Sequence, residues 1–423
     1  ENVLKMTSRT LLIVGALVGM GSVLIIRQEH NEDALMGDWS APPPLPIFIL
    51  VNVLAGAFRS MADALTPPPV KMFDMAFAYH TTMLAHICQK FTIPDFLATG
   101  PKTVEEIAQH MKHKGDKEDV ERLMYALVAD GMTKLDKNSP DPNAPRFVNS
   151  ALSAVLRSDH PNSCRGFVGH NADDAWNVWG SLPLAFGPDA VNAFDVAWPE
   201  YPLKEGGLWK LYEANDWREE QFGRAMMTIE GLGGKAMAAD GPFHKFKRVI
   251  DVGGSMGHFV YKILDKYPNM QGVIFDRSHV IANSRKHWTK DGTYGDGTQE
   301  RLEFVEGDFF QVDTFPEAKD GDAYHLRFIL HDWEEEECLA ILKNIKQKMG
   351  NASATLVIGE CAMPDRHTVG VPAFMHHMDM QMMALFRAKE RTPKMWKELL
   401  AKAGFEIVAI HPTRSLVHFV EAI

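Results

Sequence analysis

The chain has 423 residues, more than one compact domain usually carries, so a two-domain protein is expected. Hydrophobic residues make up 46% of it and charged residues 23%, an ordinary globular composition that argues against wholesale disorder. The formal net charge is −11 and no long basic run occurs, so nucleic acid and acidic lipid surfaces are poor partners for the body of the protein.

The 4 cysteines are far apart in the sequence and form no CxxC pair. This spacing argues against a structural zinc site or a disulfide framework, and it favours reduced thiols. An intracellular protein, either cytoplasmic or targeted to an organelle, is therefore expected.

Two apolar segments lie near the start of the chain. Residues 10–26 are uncharged and flanked by basic residues, but the segment is marginally short for a membrane-spanning helix, which needs about 20 residues. A signal anchor, part of a targeting sequence and a plain hydrophobic helix all stay open, and residues 1–40 are assigned to such a segment. Membrane contact is expected only through residues 10–26. The second segment, residues 45–58, looks more like a buried or dimer-facing helix.

Residues 41–236 are predicted to form a mostly helical domain with a winged-helix-like part. Thr103 and Glu106 have the spacing of a capping box at a helix start. Apolar residues recur at helical spacing in residues 119–132, and the turn-rich residues 134–150 read as a small β-wing. The second helix lacks the cluster of Lys and Arg that DNA recognition needs, so dimerisation is favoured over DNA binding.

Residues 237–423 change to short apolar strands that alternate with helices. The strand candidates are RVIDV, GVIFD, LEFVEG, DAYHLRFIL, ATLVIGE, FEIVAI and LVHFVEA. Such alternation predicts right-handed crossovers and a mostly parallel sheet, an α/β fold of the Rossmann-like type.

A glycine turn, DVGGSMG, follows the first of these strands. In an open parallel sheet, ligands bind beyond the carboxyl ends of the strands, where Gly253 and Gly254 lie and where the backbone can approach a ligand closely. The dinucleotide pattern GxGxxG is not met. Asp251, before the turn, suits a ligand that carries a positive group, and Asp276 at the end of the next strand can accept the hydroxyls of a ribose. These features alone do not decide between a nicotinamide cofactor and S-adenosylmethionine.

The third strand narrows the choice. The segment VEGDFF places Asp308 and Phe309 at the strand end, where an acid can accept the adenine amino group and a ring can cover the purine. The glycine turn, the ribose acid and this pair together form a specific constellation for the cofactor site.

From about residue 70 onward, the chain resembles the caffeic-acid and acetylserotonin type of small-molecule O-methyltransferase. The matching segments are VIDVGGSMGHFVYKILDKYP, GVIFDRSHVI, VEGDFF, LRFILHDWEEEECLAILKNI, LVIGECAMPD and KERTPKMWKELLAKAGF. The resemblance implies S-adenosylmethionine as cofactor, no metal, and a methyltransferase sheet whose last strand is reversed. It also implies a homodimer built by amino-terminal helices.

His331 is the candidate general base. It follows an apolar strand and precedes an acidic first helical turn, which places it at the carboxyl edge of the sheet, and an imidazole can accept a hydroxyl proton at neutral pH. The resemblance implies that Glu360 and Glu390 flank this histidine. Asp332, directly after His331, is a further candidate for a supporting role. Arg327 stands where family members often have Lys, and it is expected to contact the cofactor.

The segment HHMDMQMMALF, residues 376–386, aligns with the substrate wall of the family. Met378, Asp379 and Met382 are therefore predicted to bind the acceptor. The adjacent histidines at its start cannot easily face one metal from a helix. The Asn and Gly residues that follow in many phenolic methyltransferases are replaced here by LFRAKERT, which puts a plant-type phenolic acceptor in doubt.

Three functional hypotheses follow. The first is methyl transfer from S-adenosylmethionine to a small-molecule hydroxyl, with His331 as base. The second is S-methylation of a small thioether acid such as 4-methylthio-2-hydroxybutyrate, as in relatives that make dimethylsulfoniopropionate. The third is a regulatory or assembly protein that binds the cofactor without catalysis, against which the set of His331, Glu360 and Glu390 argues.

Overall fold

The computed structural model describes residues 43–139, 141, 144–289, 298–361, 363–365, 368 and 373–423. The predicted segment at residues 1–40, with the apolar stretch 10–26, lies outside the described residues. Contacts within the chain divide it into two compact units, residues up to 174 with 220–232, and residues 175–219 with 233–423. The domain boundary predicted between residues 236 and 237 stays a proposal, since the contacts group residues 175–219 with the second unit.

The first unit is mostly helical. Its helices are α1 (Leu45–Leu65), α2 (Pro68–Lys90), α3 (Ile93–Leu97), α4 (Val104–His110), α5 (Lys117–Ala129), α6 (Ala151–Ala154) and α7 (Arg165–Gly169), and a π-helix (His170–Ala175) follows α7. β1 (Thr133–Leu135) and β2 (Phe147–Asn149) pair antiparallel, so the predicted order of two helices and a small β-wing is present. The Thr103 side chain and the Glu106 side chain cap α4 reciprocally, as their spacing predicts.

α1 and α2 expose much apolar surface. Only Val51 and Ala55 of α1 are buried, so this helix is not a core helix of the single chain. Many large apolar side chains of the two helices are exposed, among them Leu65 (77%) and Met72 (64%). Monomeric soluble proteins rarely expose so much apolar surface in one region. Among the described residues, α1 alone has the length and apolar composition needed to cross a membrane.

The second unit carries the other helices. They are α8 (Trp176–Ser181), α9 (Ala193–Ala197), α10 (Gly207–Glu213), α11 (Asp216–Gly231, of which residues from 220 onward belong to the first unit), α12 (Gly234–Asp240), α13 (His258–Lys266), α14 (Ser278–Thr289), α15 (Glu335–Met349), α16 (Ala373–Phe386) and α17 (Pro393–Lys402). Short 3₁₀ turns occur at Leu182–Ala185, Leu203–Glu205, Pro242–Lys245, Thr298–Arg301, Val312–Thr314 and Leu330–Asp332.

A 7-stranded sheet forms the centre of the second unit. Its strands are β3 (Arg248–Val252), β4 (Gln271–Asp276), β5 (Leu302–Glu306), β6 (Asp322–Arg327), β7 (Thr355–Cys361), β8 (Ile407–Pro412) and β9 (Val417–Ala422). Their spatial order is β5-β4-β3-β6-β7-β9-β8. The five strands β5, β4, β3, β6 and β7 are parallel to their neighbours, whereas β9 is antiparallel to both β7 and β8. The mostly parallel sheet with a reversed last strand is therefore confirmed.

Both faces of the central strands of this sheet are buried. Along β3, β6 and β7, alternate residues enter two different apolar clusters: Ile250, Tyr324 and Leu356 pack with α15 and α17, and Val249, Ala323 and Val357 pack with α13. A sheet covered on both faces exposes only its edges and its strand ends. The strand order changes direction between β3 and β6, so the carboxyl ends of these two strands form the crevice in which ligands of such folds bind.

Candidate active site

The glycine turn between β3 and α13 lies at this crevice. Gly253 and Gly257 have φ of +74° and +79°, a left-handed conformation that glycine adopts without steric cost. A Cβ at Gly253 would lie 2.5 Å from Ile329 Cδ1 and 3.8 Å from the ring of Phe309. The turn therefore adjoins both the segment after β6 and the predicted adenine-covering ring, and a side chain at Gly253 would clash with Ile329.

Replacing Gly257 with alanine is expected to weaken the binding of S-adenosylmethionine, the expected methyl donor, about tenfold or more. The new Cβ would clash with Cδ1 of the buried Ile274, in a backbone conformation that costs an L-residue roughly 1–2 kcal/mol, so the turn or the Ile274 side chain must shift. Calorimetric titration with S-adenosylmethionine measures the change. Gly404→Ala is the matched control, because Gly404 has a similar φ of +82° with no described atom within 4 Å of its Cβ position. Equal affinity of wild type and Gly257→Ala would contradict the prediction.

Asp276 ends β4 beside the glycine turn. Its Oδ2 accepts a hydrogen bond from the Ser255 amide and its Oδ1 from the Arg277 amide, both at 2.8 Å. Each carboxylate oxygen has a second lone pair, so both can still accept a hydroxyl. Burial raises the pKa of Asp276, although the two amide hydrogen bonds oppose this effect. The geometry fits the predicted ribose contact.

Asp251 is held by His325, a residue that the sequence patterns did not single out. Its Oδ1 lies 2.7 Å from Nδ1 of His325 on β6, and both side chains are buried. Its Oδ2 faces Gly254, where a Cβ would be 3.0 Å away. One oxygen is thus paired inside the protein, and the other is directed to the glycine turn, which is where the predicted positive group of a ligand would be.

Asp308, Phe309 and Arg327 also lie at strand ends of this edge. Asp308 is exposed, and its Oδ1 accepts a hydrogen bond from the Phe310 amide at 2.9 Å. The guanidinium carbon of Arg327 is 4.7 Å from the ring centroid of Phe259, the second residue of α13. Arg327 therefore stacks on the helix that begins at the glycine turn, in a position compatible with a contact to the cofactor.

The chain turns sharply after β6 and brings His331 to the same edge. Phe328 has a φ of +54°, unusual for a bulky residue, and its amide bonds to the Gly359 carbonyl. Glu360 Oε1, at the end of β7, accepts from the amides of Ile329 and Leu330 at 3.1 and 3.0 Å. The turn that carries His331 is thereby fixed by the neighbouring strand.

Carboxylates surround the buried imidazole of His331. Nδ1 lies 2.8 Å from Glu390 Oε1 and 3.5 Å from Glu360 Oε2, and Nε2 lies 3.5 Å from Asp332 Oδ1. The second oxygens of Glu360 and Glu390 are buried and have no hydrogen-bond partner among the described residues. The structure thus brings the three predicted catalytic residues together, although His331 and Glu390 are 59 residues apart in the sequence.

Burial and the mutual charges of these side chains shift their pKa values. Burial by itself lowers the pKa of His331, but Glu360, Glu390 and Asp332 together raise it to about 10. Burial raises the pKa of Asp332 and of Glu360 to about 7, against the opposing effect of His331. The imidazolium form of His331 is consequently favoured at neutral pH, and the fraction of neutral imidazole increases as the pH rises.

The same three residues offer donor atoms to a cation. One ligand atom each from His331, Glu360 and Glu390 lies within 4.8 Å of the others. His331 Nδ1 and Glu390 Oε1 are already joined by a contact of 2.8 Å, and no ion is needed to hold these two side chains together. The sequence-based expectation that no metal takes part stays a prediction.

α16 contains the predicted acceptor-binding residues and packs against the turn Leu330–Asp332 and against α8, α9 and α10. Met382 is buried and Met378 half-buried, whereas Asp379 Oδ1 accepts from the Glu390 amide at 2.9 Å. Asp379 therefore positions the segment that carries Glu390, a contact that the sequence did not indicate. His376 and His377 are exposed.

Aromatic rings join α16 to the His331 turn. The ring of Trp209 on α10 stacks on Phe386 of α16 at a centroid distance of 5.6 Å and on Trp333 at 6.5 Å. Trp333 follows His331 by two residues, so these rings connect α16 to the segment that carries the imidazole. The three rings come from α10, from α16 and from the segment after the turn Leu330–Asp332.

Arg391, which contacts the turn that carries His331, is another residue that the sequence patterns did not single out. It is buried, and its guanidinium donates to the carbonyl of Leu330. Its position directly after Glu390 in KERT was a usable signal, because a buried arginine next to a buried acid requires partners. His325 had a similar signal, since a histidine in an apolar strand beside an acid on the neighbouring strand indicates a pair.

Comparison with known proteins gives concordant results. The family model described as the O-methyltransferase domain matches residues 197–406, and that of the O-methyltransferase dimerisation domain matches residues 73–159. The chain is similar to 8-amino-8-demethylriboflavin N,N-dimethyltransferase of Streptomyces davaonensis, with 30% identity over 76% of this chain and 86% of that protein. It is also similar to phenazine O-methyltransferase PhzM of Lysobacter antibioticus, with 28% identity over 83% and 95%.

A solved structure shows the same fold. Human N-acetylserotonin methyltransferase in complex with SAM has a TM-score of 0.73 and 21% identity, covering 85% of this chain and 98% of that one. The predicted enzyme class and the resemblance to this type of methyltransferase are confirmed by the family models and the relatives together. The chain belongs to the O-methyltransferase family, with the O-methyltransferase domain and the dimerisation domain of that family.

Proposed function

We propose that this enzyme transfers a methyl group from S-adenosylmethionine to the hydroxyl of a small molecule, with His331 as general base. The contact of 2.8 Å between His331 Nδ1 and Glu390 Oε1 carries this proposal. A carboxylate only accepts hydrogen bonds, so Nδ1 carries the hydrogen and the lone pair of the neutral imidazole is on Nε2. A base with a fixed tautomer is what removal of a hydroxyl proton requires.

The residues at the sheet edge fit the donor. S-adenosylmethionine supplies an electrophilic methyl group on a positively charged sulfur. Gly253 and Gly254 present backbone without side chains to it, and Asp276 retains lone pairs for its ribose. We assign Asp308 and Phe309, at the end of the neighbouring strand, to its adenine. We assign Asp251 and Arg327 to its amino acid part, because their charges oppose those of an ammonium and a carboxylate.

The acceptor is a small molecule with a nucleophile that must lose a proton. A thioether carries no proton, so S-methylation has no use for the buried pair of His331 and Glu390, and this pair favours a hydroxyl. The rings of Trp209, Trp333 and Phe386 favour a flat apolar skeleton that bears this hydroxyl. Met378, Asp379 and Met382 contribute to the same wall from α16.

The test is methyl transfer to matched acceptors. The enzyme is incubated with isotope-labelled S-adenosylmethionine and a panel in which each skeleton carries a free hydroxyl, a methoxy group, an amine or a methyl thioether, and products are identified by mass spectrometry. Label is expected in hydroxyl compounds, and the methoxy analogues control for binding without a nucleophile. Label confined to thioethers or amines, whichever pH is used, would contradict the proposal.

We further propose that the protein is a homodimer in which α1 and α2 take part. The dimerisation domain covers residues 73–159, which include most of α2, and α1 continues the chain on its amino-terminal side. Leu50, Val53, Met72 and Phe73 are each more than half exposed. A second copy of the chain would remove this apolar surface from water.

A further inference from the structure

Arg391 contacts the turn that carries His331 at both of its ends. Nη1 donates to the Leu330 carbonyl at 2.6 Å, and Nη2 donates to the Trp333 carbonyl at 3.2 Å. Leu330 precedes His331 by one residue, and Trp333 follows it by two. Arg391 is 4% exposed, so these hydrogen bonds are not exchanged for water.

Glu360 binds the amide groups of the same turn. It accepts from Ile329 and Leu330, whereas Arg391 donates to carbonyl groups, so the peptide groups on either side of His331 are fixed by a side chain of each charge. Cys338 Sγ, 3.2 Å from Arg391 Nη2, completes the environment of the guanidinium. Arg391 also follows Glu390 directly. One backbone segment therefore carries both Glu390, the partner of the imidazole, and Arg391, which clamps the turn by binding its carbonyl groups.

We propose that Arg391 is a positioning residue for methyl transfer, which holds the imidazole of His331 in register with Glu390 by binding the carbonyls of Leu330 and Trp333. This inference rests on the proposed role of His331. The planar guanidinium acts as a fork, with two N–H donors held at a fixed spacing. This fork is necessary, because a single ammonium cannot bind equally well to two carbonyls at the two ends of a turn. The charge of Arg391 has a second consequence, because it lowers the pKa of Glu360 and so opposes proton uptake by that carboxylate.

Two variants separate the fork from the charge. Arg391→Lys keeps the positive charge but loses the fork, and kcat is expected to fall about 10-fold to 100-fold while KM for the donor stays within about twofold. Arg391→Met also removes the charge, so kcat falls further and the rising limb of the kcat–pH profile moves to higher pH, because loss of a nearby positive charge favours the protonated imidazole of His331. In Arg391→Lys this limb stays at the pH of the wild type.

Arg301 offers a matched control. Its guanidinium also donates to backbone carbonyls, those of Leu264, Tyr267 and Met270, at 3.0–3.2 Å, and these carbonyls lie on α13 and the loop after it rather than on the His331 turn. Arg301→Lys is expected to lower the melting temperature without changing kcat or its pH profile. Wild-type kcat in Arg391→Lys would overturn the inference, as would a rise of KM at constant kcat.

A readout without turnover keeps this inference distinct from the proposed function. The proton on His331 Nδ1 should give a downfield NMR signal that is missing in His331→Gln, and it should shift or broaden in Arg391→Lys but not in Arg301→Lys. An unchanged signal in Arg391→Lys would refute the clamp. If the signal changes but His331→Ala keeps its activity, then Arg391 positions His331 and the proposed base is wrong.

Discussion

Replacing His331 with alanine is expected to lower kcat for transfer to a hydroxyl by about 10²–10⁴-fold. Without the imidazole, the proton of the acceptor has no base within the cluster, since the nearby carboxylates Glu360 and Glu390 are placed around the histidine rather than in its position. Steady-state assays with a hydroxyl acceptor, together with titration of the donor, measure the loss. Donor affinity should change little, because the glycine turn and Asp276 stay intact.

His411→Ala is the control for this experiment. His411 also pairs with a carboxylate, Glu421 at 2.7 Å, but it lies on β8 at the far edge of the sheet. This variant should retain the rate of the wild type within about twofold. If His331→Ala kept its rate with hydroxyl acceptors while remaining folded, the assignment of the base would be wrong. Should only transfer to thioethers be seen, and survive the substitution, the enzyme would be an S-methyltransferase.

Glu390→Gln is expected to lower kcat roughly 10²-fold and to shift its pH dependence. The amide keeps the shape of the side chain but removes a negative charge that stabilises the imidazolium formed when the proton is accepted. The same negative charge raises the pKa of His331, so its removal lowers that pKa. The neutral imidazole then predominates from a lower pH, and the rising limb of the kcat–pH profile moves toward acid.

Glu390→Ala and Glu398→Gln complete this comparison. Alanine also removes the acceptor of the Nδ1 hydrogen, so the ring loses its fixed orientation and the rate should fall below that of Glu390→Gln. Glu398 is an exposed residue of α17, and its replacement should leave both rate and pH profile unchanged. A limb in Glu390→Gln that stays at the wild-type pH, or moves to higher pH, would contradict the electrostatic account of the cluster.

The strands of the second unit could be predicted because the centre of the sheet is buried on both faces. β3 is buried along its whole length, so its sequence is mainly apolar (Val249, Ile250 and Val252), and its end is marked by the glycines of the turn. Strand ends at one edge of a parallel sheet must lie together, which is why the sequence alone sufficed to assign Asp276 and Asp308 to one crevice.

The cluster around His331 was accessible in part. Its position at the strand end follows from the sequence, but Glu390 is 59 residues away and only the resemblance to known methyltransferases connected the two. Asp379 was predicted to bind the acceptor from its helix, whereas its contact with the Glu390 amide depends on how the chain returns after α16. Loop geometry of this kind leaves no periodic trace in a sequence.

Two further features could not be derived from periodicity. The apolar pattern of residues 45–58 predicts a helix that packs either in the core or against a second subunit, and it does not distinguish between the two. In the single chain, α1 is largely exposed. The contacts of residues 175–219 with the second unit also depend on tertiary packing, because short helices such as α8 and α9 have the same local signals in either unit.

The rate of a single turnover with a hydroxyl acceptor, measured across pH with the donor already bound, tests the role of His331 most directly. Under these conditions neither donor binding nor product release limits the rate. The wild-type rate is expected to increase with pH as the imidazole of His331 loses its proton, and His331→Ala should be slow without this dependence. A wild-type rate that does not change with pH, or the same pH dependence in His331→Ala, would contradict the assignment of His331 as the group that accepts the proton.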